Sequence, residues 1–94
     1  MPDQQLHAIV EGNVQGVGFR YFVLEVAHQL QLTGWVRNLV NGNVELVAEG
    51  NRADLDKLYS ALQSGSPGSL VTNVVSDWLP AQNTFTLFSI RPTA

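Results

Sequence analysis

The chain contains no cysteine, which excludes disulfide bonds, thiolate catalysis and metal sites with cysteine ligands. It has no apolar run approaching the roughly 18 residues of a membrane span. Residues 1–5 carry neither the basic segment nor the apolar core of a signal peptide. A cytoplasmic protein with no membrane attachment is therefore the default expectation.

Positive charge is also scarce. The chain has 5 Lys and Arg residues against 8 Asp and Glu, which gives a net charge of −3. Broad binding to nucleic acid or to an anionic membrane needs a basic surface, so the charge balance argues against both. Any anion site in this chain must be local and must use few charges and many backbone amides.

What the chain does have is enough apolar sequence for one compact domain. Its 94 residues are 45% hydrophobic, a fraction typical of a folded globule. We expect a single domain over residues 1–94, and we expect it to be a monomer.

Three glycines lie between an apolar strand and an apolar helix, in the stretch 12–20, GNVQGVGFR. Backbone N–H groups can converge on an anion at such a junction. Residues 14–19 offer no Ser, Thr, Asp or Asn to cap the helix, and Arg20 brings a cation to its positive end, at a cost of about 0.3–1 kcal/mol. A bound phosphate would supply the missing negative charge. The alternative is a tight turn with an exposed arginine and no ligand, and neither the Rossmann nor the Walker phosphate pattern matches the stretch.

The hydrophobic periodicity predicts the order β-α-β-β-α-β with a short extra strand at the end. This is the ferredoxin-like split βαβ pattern of an α+β fold, in which two helices cover one face of an antiparallel sheet. The hairpin signal Asn41-Gly42 joins the second and third strands, and Asn51 caps the second helix with Asp54 at its third position. Strands are predicted over 6–11, 33–40, 43–49, 70–78 and 84–90. Helices are predicted over 21–32 and after Asn51. A Gly/Ser/Pro loop is predicted over 64–69, and a turn is predicted around Pro80 and Asn83.

Several strand and helix faces should form the core. We expect them to be Leu6, Ala8 and Val10 in the first strand, Val44, Leu46 and Ala48 in the third strand, Phe22, Val23, Val26, Ala27 and Leu30 in the first helix, and Leu55, Leu58, Tyr59 and Leu62 in the second helix.

Asn38 is a second candidate site residue. Strand alternation places it on the helix-facing side with Gly34 and Val36, whereas Arg37 points to the opposite face and is interpreted as a surface charge. A polar Asn on that side either begins the turn or points into a site. The two histidines, His7 and His28, have no second ligand at metal spacing, so we expect no metal site.

The stretch 12–20 resembles the signature loop of the acylphosphatases, and the segments GWVRN at 34–38 and GNVE at 42–45, followed by Gly50, resemble the rest of that family's pattern. The resemblance spans nearly the whole chain and departs from the family only in the loop 65–69. It implies the same ferredoxin-like fold. It further implies metal-independent and cofactor-free hydrolysis of small-molecule acyl phosphates. The phosphoryl group would be held by the Arg20 guanidinium and by backbone amides, and Asn38 would orient the attacking water. The amides are those of Gln15, Gly16, Val17, Gly18, Phe19 and Arg20.

Two other classes of function remain as alternatives. A module of the same fold could hold phosphate or an acyl phosphate without turnover, as a regulatory domain. An RNA-binding module is disfavoured, because the aromatic RNP-type strand is missing and the net charge has the wrong sign.

Overall fold

The computed structural model describes residues 2–94. Its elements follow the order that the periodicity predicts, with a short fifth strand after the βαββαβ core. They are β1 (Gln4–Asn13), α1 (Phe19–Gln29), β2 (Thr33–Asn38), β3 (Val44–Gly50), α2 (Arg52–Ser64), β4 (Leu70–Pro80) and β5 (Phe88–Ile90).

The five strands form one sheet in the order β4-β1-β3-β2-β5. The first four are antiparallel neighbours, as predicted, but β5 pairs with β2 in parallel, so the complete sheet is mixed. Since β4 and β5 lie at opposite edges, residues 81–87 cross the width of the sheet and are more than the simple turn that Pro80 and Asn83 suggest. The carboxylate of Glu49 anchors this crossing, because it accepts the backbone N–H groups of Gln82 at 2.8 Å and Asn83 at 3.0 Å.

Both helices contribute to one hydrophobic core on one face of the sheet. The predicted strand residues of β1 and β3 are all fully buried, as are Val36 of β2 and Val23 and Ala27 of α1. In α2, Leu55, Leu58 and Leu62 are buried and Tyr59 is partly so, as the stripe predicts. The predicted faces of β1, β3 and α2 are therefore confirmed. In α1 the predicted residues Phe22, Val26 and Leu30 are only partly buried and pack against the core, whereas Phe19, which lies outside the predicted helix, is fully buried.

The start of α2 was predicted correctly from the sequence, whereas both ends of α1 were not. Asn51 caps α2 as predicted, and its side chain accepts the N–H of Asp54 at 2.9 Å. The helix α1 was predicted over 21–32 but begins at Phe19 and has its C-cap at Leu30. Gln31 turns into the left-handed region at φ 56, and the Leu32 N–H bonds the Ala27 carbonyl at 2.9 Å, which brings the Leu32 side chain into the core.

The strands β2 and β3 approach each other closely at Gly34, where φ is 138. A Cβ at this position would collide with the Val47 carbonyl, so only glycine is accommodated. The strand β2 ends at Asn38, two residues before the predicted end, because Leu39 and Gly42 close the hairpin turn. The loop 64–69 follows α2 as predicted and contains a turn in which the Ser69 N–H bonds the Ser66 carbonyl.

No helix within residues 2–94 has both the length and the apolar character needed to cross a membrane.

Candidate active site

The glycine-rich loop connects β1 to α1 and is anchored at both ends by buried side chains. Val14 before it and Phe19 after it are each 1% exposed. Between them Gly16 and Gly18 have φ values of 74 and 76, and the intervening Val17 does not have a positive φ. Alternation between residues of positive and negative φ can turn successive N–H groups toward one side, as in an anion-binding nest.

The backbone N–H groups of Gln15 to Arg20 have no acceptor within residues 2–94. The N-cap of α1 is Gly18, which offers no side chain, and the first turn contains no acidic residue. A Cβ built on Gly16 or Gly18 would meet nothing within 4 Å, so the space beside the loop is open. Six unpaired donors at the positive end of a helix dipole form a site that favours an anion.

Arg20 is the second residue of α1, and its guanidinium has no carboxylate partner among the salt bridges of the described residues. Its planar group can therefore grip two oxygens of one phosphoryl group without first breaking an ion pair.

Asn38 lies on the same side of the sheet as the helices. It is the last residue of β2 and pairs with Val44, which also pairs with Val10 of β1. Val10, Val44 and Asn38 thus form one row across three strands, and the first two are fully buried in the core beneath the helices. Because Val10 is a few residues before the glycine-rich loop, this row places Asn38 at the end of the sheet where α1 begins.

The Asn38 side chain carries a buried acceptor with no partner. Its Oδ1 is inaccessible and makes no hydrogen bond within residues 2–94. Leaving a buried acceptor unpaired costs about 1–3 kcal/mol, but Thr33 Oγ1 and Ser66 Oγ are in the same state, so the unpaired atom alone does not distinguish Asn38.

Arg37 lies on the other face, as predicted, and is fully engaged there. Its Nε and Nη2 donate to Glu45 Oε1 at 2.9 and 2.7 Å, and its guanidinium lies 4.7 Å from the ring centroid of Trp35. Glu45 also contacts His7 Nε2 at 2.7 Å. Burial raises the pKa of Glu45, but the hydrogen bonds from His7 and Arg37 outweigh it and hold the pKa below its ordinary value of 4.5.

The other polar groups offer no second site. His28 contacts the Phe88 carbonyl at 3.1 Å, and residues 2–94 contain no cluster of three potential metal-ligating side chains. Two cavities of about 260 and 310 Å³ lie elsewhere, and neither is lined by the glycine-rich loop or by Asn38. Gly16 and Gly18 are exposed, so the candidate site is an open loop at the surface.

The sequence alone does not reveal the role of the Gln15 side chain. Gln15 Nε2 donates to the carbonyls of Leu39 at 2.7 Å and Asn43 at 2.8 Å, which joins the glycine-rich loop to the turn after Asn38. The available signal was that Gln15 is the only polar side chain among residues 14–19.

Comparisons with known proteins agree with one another. A family model described as acylphosphatase matches residues 6–90. The acylphosphatase of Bacillus licheniformis is 48% identical over 86 residues, which are 92% of this chain and 96% of that protein. The crystal structure of an acylphosphatase from Bacillus subtilis matches with a TM-score of 0.90 and 42% identity, over 94% of this chain and 98% of that one. Full-length HypF in its phosphate- and nucleotide-bound form matches with a TM-score of 0.85 and 27% identity, over 99% of this chain but only 12% of HypF.

Proposed function

The chain belongs to the acylphosphatase family, and on that premise we propose how its residues hydrolyse acyl phosphates. An acyl phosphate is a mixed anhydride of a carboxylic acid and phosphoric acid. Hydrolysis breaks the bond between phosphorus and the acyl oxygen and releases a carboxylate and phosphate. We assign this activity to residues 1–94 as a single acylphosphatase-like domain.

The observation that carries the proposal is the set of six backbone N–H groups, Gln15 to Arg20, that have no acceptor within residues 2–94. In the proposal they donate to the phosphoryl oxygens, and the Arg20 guanidinium binds two of those oxygens at once. Donors already aimed at the oxygens stabilise the charge that develops on them without reorganising during the reaction.

Asn38 orients the attacking water in this scheme. A carboxamide has no useful basicity, so it cannot remove a proton, but the half-buried side-chain amide of Asn38 can hold the water by a hydrogen bond. The water oxygen attacks phosphorus in line with the departing carboxylate. A carboxylate is a good leaving group, so no general acid is required, and the proton passes to the phosphate itself.

We further propose that the reaction needs no metal and no cofactor. The phosphoryl charge is balanced by the six amides and Arg20, and the described residues hold no cluster of three metal-ligating side chains. A chelator such as EDTA should therefore leave kcat unchanged.

The alternative is a module that binds phosphate without turnover. One observation favours it, since the chain also matches a segment that makes up 12% of the much larger HypF. Binding of orthophosphate with no release of phosphate from acetyl phosphate would support the alternative.

The experiment measures phosphate release from acetyl phosphate, with p-nitrophenyl phosphate as a monoester comparison. We expect acetyl phosphate to be hydrolysed and the monoester to be a poor substrate. Asn38→Ala should lower kcat by about 10²–10³, the usual scale for losing one such polar group. Arg37→Ala is the matched control, because Arg37 is adjacent in sequence but lies on the opposite face. An Asn38→Ala variant with wild-type kcat would exclude the water-orienting role.

A monomeric state and a cytoplasmic location belong to the same proposal. Sedimentation equilibrium of the purified chain and fractionation of cells that express it would test them.

A further inference from the structure

The two halves of the proposed site come from different strands. The glycine-rich loop follows β1, whereas Asn38 ends β2, and β3 lies between them. The row formed by Val10, Val44 and Asn38 is the last in which the ladders hold all three strands together, because the β1–β3 and β2–β3 pairings both stop at Val44. Two strand spacings separate Val10 from Asn38, about 10 Å in total. Beyond this row, the sheet no longer determines how far the loop lies from the turn.

The Gln15 side chain spans that gap. Its Nε2 has two N–H groups, and it donates to two carbonyls, those of Leu39 at 2.7 Å and Asn43 at 2.8 Å. Leu39 and Asn43 are also joined to each other, because the Leu39 N–H donates to the Asn43 carbonyl at 2.8 Å. Gln15 therefore binds the base of the turn at the point where the chain leaves Asn38. Within the described residues, no other hydrogen bond directly joins loop residues 14–18 to turn residues 39–43.

We infer that the Gln15 side chain is a positioning residue, which sets the location of Asn38 relative to the phosphoryl group. Both of its amide hydrogens are used by the carbonyls, so its nitrogen is not available to bind phosphate. The effect on the reaction passes through Asn38. In-line attack needs the water about 3–3.5 Å from phosphorus, and a misplacement of 1 Å can cost about 10²-fold in rate. This inference rests on the proposed function.

The test replaces Gln15 by methionine, which keeps the length of the side chain and the backbone N–H but removes both donors. Gln15→Met should lower kcat for acetyl phosphate by about 10- to 100-fold. Competitive inhibition by orthophosphate should weaken by no more than about 3-fold, because the amides and Arg20 that bind phosphate are still present. A residue that only supported the fold would not separate kcat from phosphate affinity in this way.

Asn51→Ala is the matched control for stability. It removes one side-chain hydrogen bond to the backbone at the opposite end of β3, where Asn51 caps α2. We expect its kcat to be that of the wild type. Gln15→Asn is the second variant, because its shorter amide cannot reach both carbonyls but keeps a polar side chain at this half-buried position.

The outcomes separate this inference from the proposed function. If both Gln15 variants have a kcat within about twofold of the Asn51→Ala control, or if phosphate inhibition weakens as much as kcat falls, the inference is wrong. In that case a large loss of kcat in Asn38→Ala would still support the proposed function. If Asn38→Ala also retains its kcat, the proposed function itself fails. Should Gln15→Met not fold, Gln15→Asn decides the question.

Discussion

Gly18 and Gly68 offer a matched pair of substitutions that tests the glycine-rich loop. Their φ values are 76 and 82, both in the left-handed region that disfavours residues with a Cβ. At either position a new Cβ would meet nothing within 4 Å. The cost of Gly18→Ala and of Gly68→Ala is therefore conformational rather than steric, about 1–2 kcal/mol in each case. For a domain of this size, each kcal/mol lowers Tm by roughly 4–8 °C, so a variant that keeps the left-handed conformation should lose about 4–16 °C.

The two variants should differ in ligand binding. Gly18 is the N-cap of α1, and its N–H is one of the six donors without an acceptor, whereas Gly68 lies in the loop between α2 and β4. If alanine at 18 relaxes out of the left-handed region, phosphate binding must restore that conformation. The part of the 1–2 kcal/mol that this relaxation removes from the Tm loss then appears instead in binding, as a loss of up to about 5- to 30-fold in phosphate affinity and in kcat/KM. Gly68→Ala should retain wild-type values of both.

The assay combines thermal unfolding, titration with orthophosphate and hydrolysis of acetyl phosphate for the wild type and both variants. A smaller loss of Tm in Gly18→Ala than in Gly68→Ala, with weaker phosphate binding in Gly18→Ala alone, is the expected result. Wild-type phosphate affinity and kcat/KM in Gly18→Ala, together with a loss of Tm clearly smaller than that of Gly68→Ala, would refute the assignment of this loop as the phosphate site. Equal weakening in Gly68→Ala would mean that the loss reflects stability alone.

Three other substitutions have expected outcomes. Arg20→Lys should lower kcat/KM by about 10², because an ammonium cannot bind two phosphoryl oxygens in the geometry of a guanidinium. Urea unfolding should show unchanged stability. A near-normal kcat/KM would contradict the role proposed for Arg20. Glu45→Gln should destabilise the fold at pH 7, because it removes a carboxylate whose pKa is lower in the folded state than its ordinary value of 4.5. The ionised carboxylate contributes stability in full above pH 4.5, and this contribution is lost as the pH falls through the folded-state pKa. Its difference from the wild type in urea unfolding should therefore shrink by pH 3, and a constant difference would exclude this origin. Gly34→Ala should cost about 3 kcal/mol or more, because its Cβ would strike the Val47 carbonyl, and a loss of less than 1 kcal/mol by urea unfolding would argue against that collision.

Most of the fold could be predicted because its signals are local. Alternating apolar residues at 6, 8 and 10 and at 44, 46 and 48 are buried on one face, as strand geometry requires. The Asn51 cap needs only its own side chain and the N–H of Asp54, so four residues of sequence are enough to specify it. The end of α1 was harder to predict, because a glutamine in the left-handed region at Gln31 carries no sequence signal comparable to glycine.

The candidate site was predictable in part for the same reason. The absence of a capping residue in 14–19 predicted a helix start whose amides lack a side-chain acceptor, and Gly18 indeed provides none. Strand alternation placed Asn38 and Arg37 on opposite faces, which the structure confirms through the contacts of Arg37 with Glu45 and Trp35. The family resemblance, and not the spacing of residues, supplied the role that is proposed for Asn38.

What the sequence by itself determined was each element, its buried face and the uncapped start of α1, since these depend on residues within a few positions of one another. Only the tertiary structure decided how distant segments meet: β5 pairs in parallel with β2, Glu49 holds the crossing at 82–83, and Gln15 binds the turn at 39–43. Each of these contacts joins residues at least 24 positions apart in the chain. Local periodicity carries no information about such pairs, because their hydrogen-bond partners are chosen by the packing of the whole sheet.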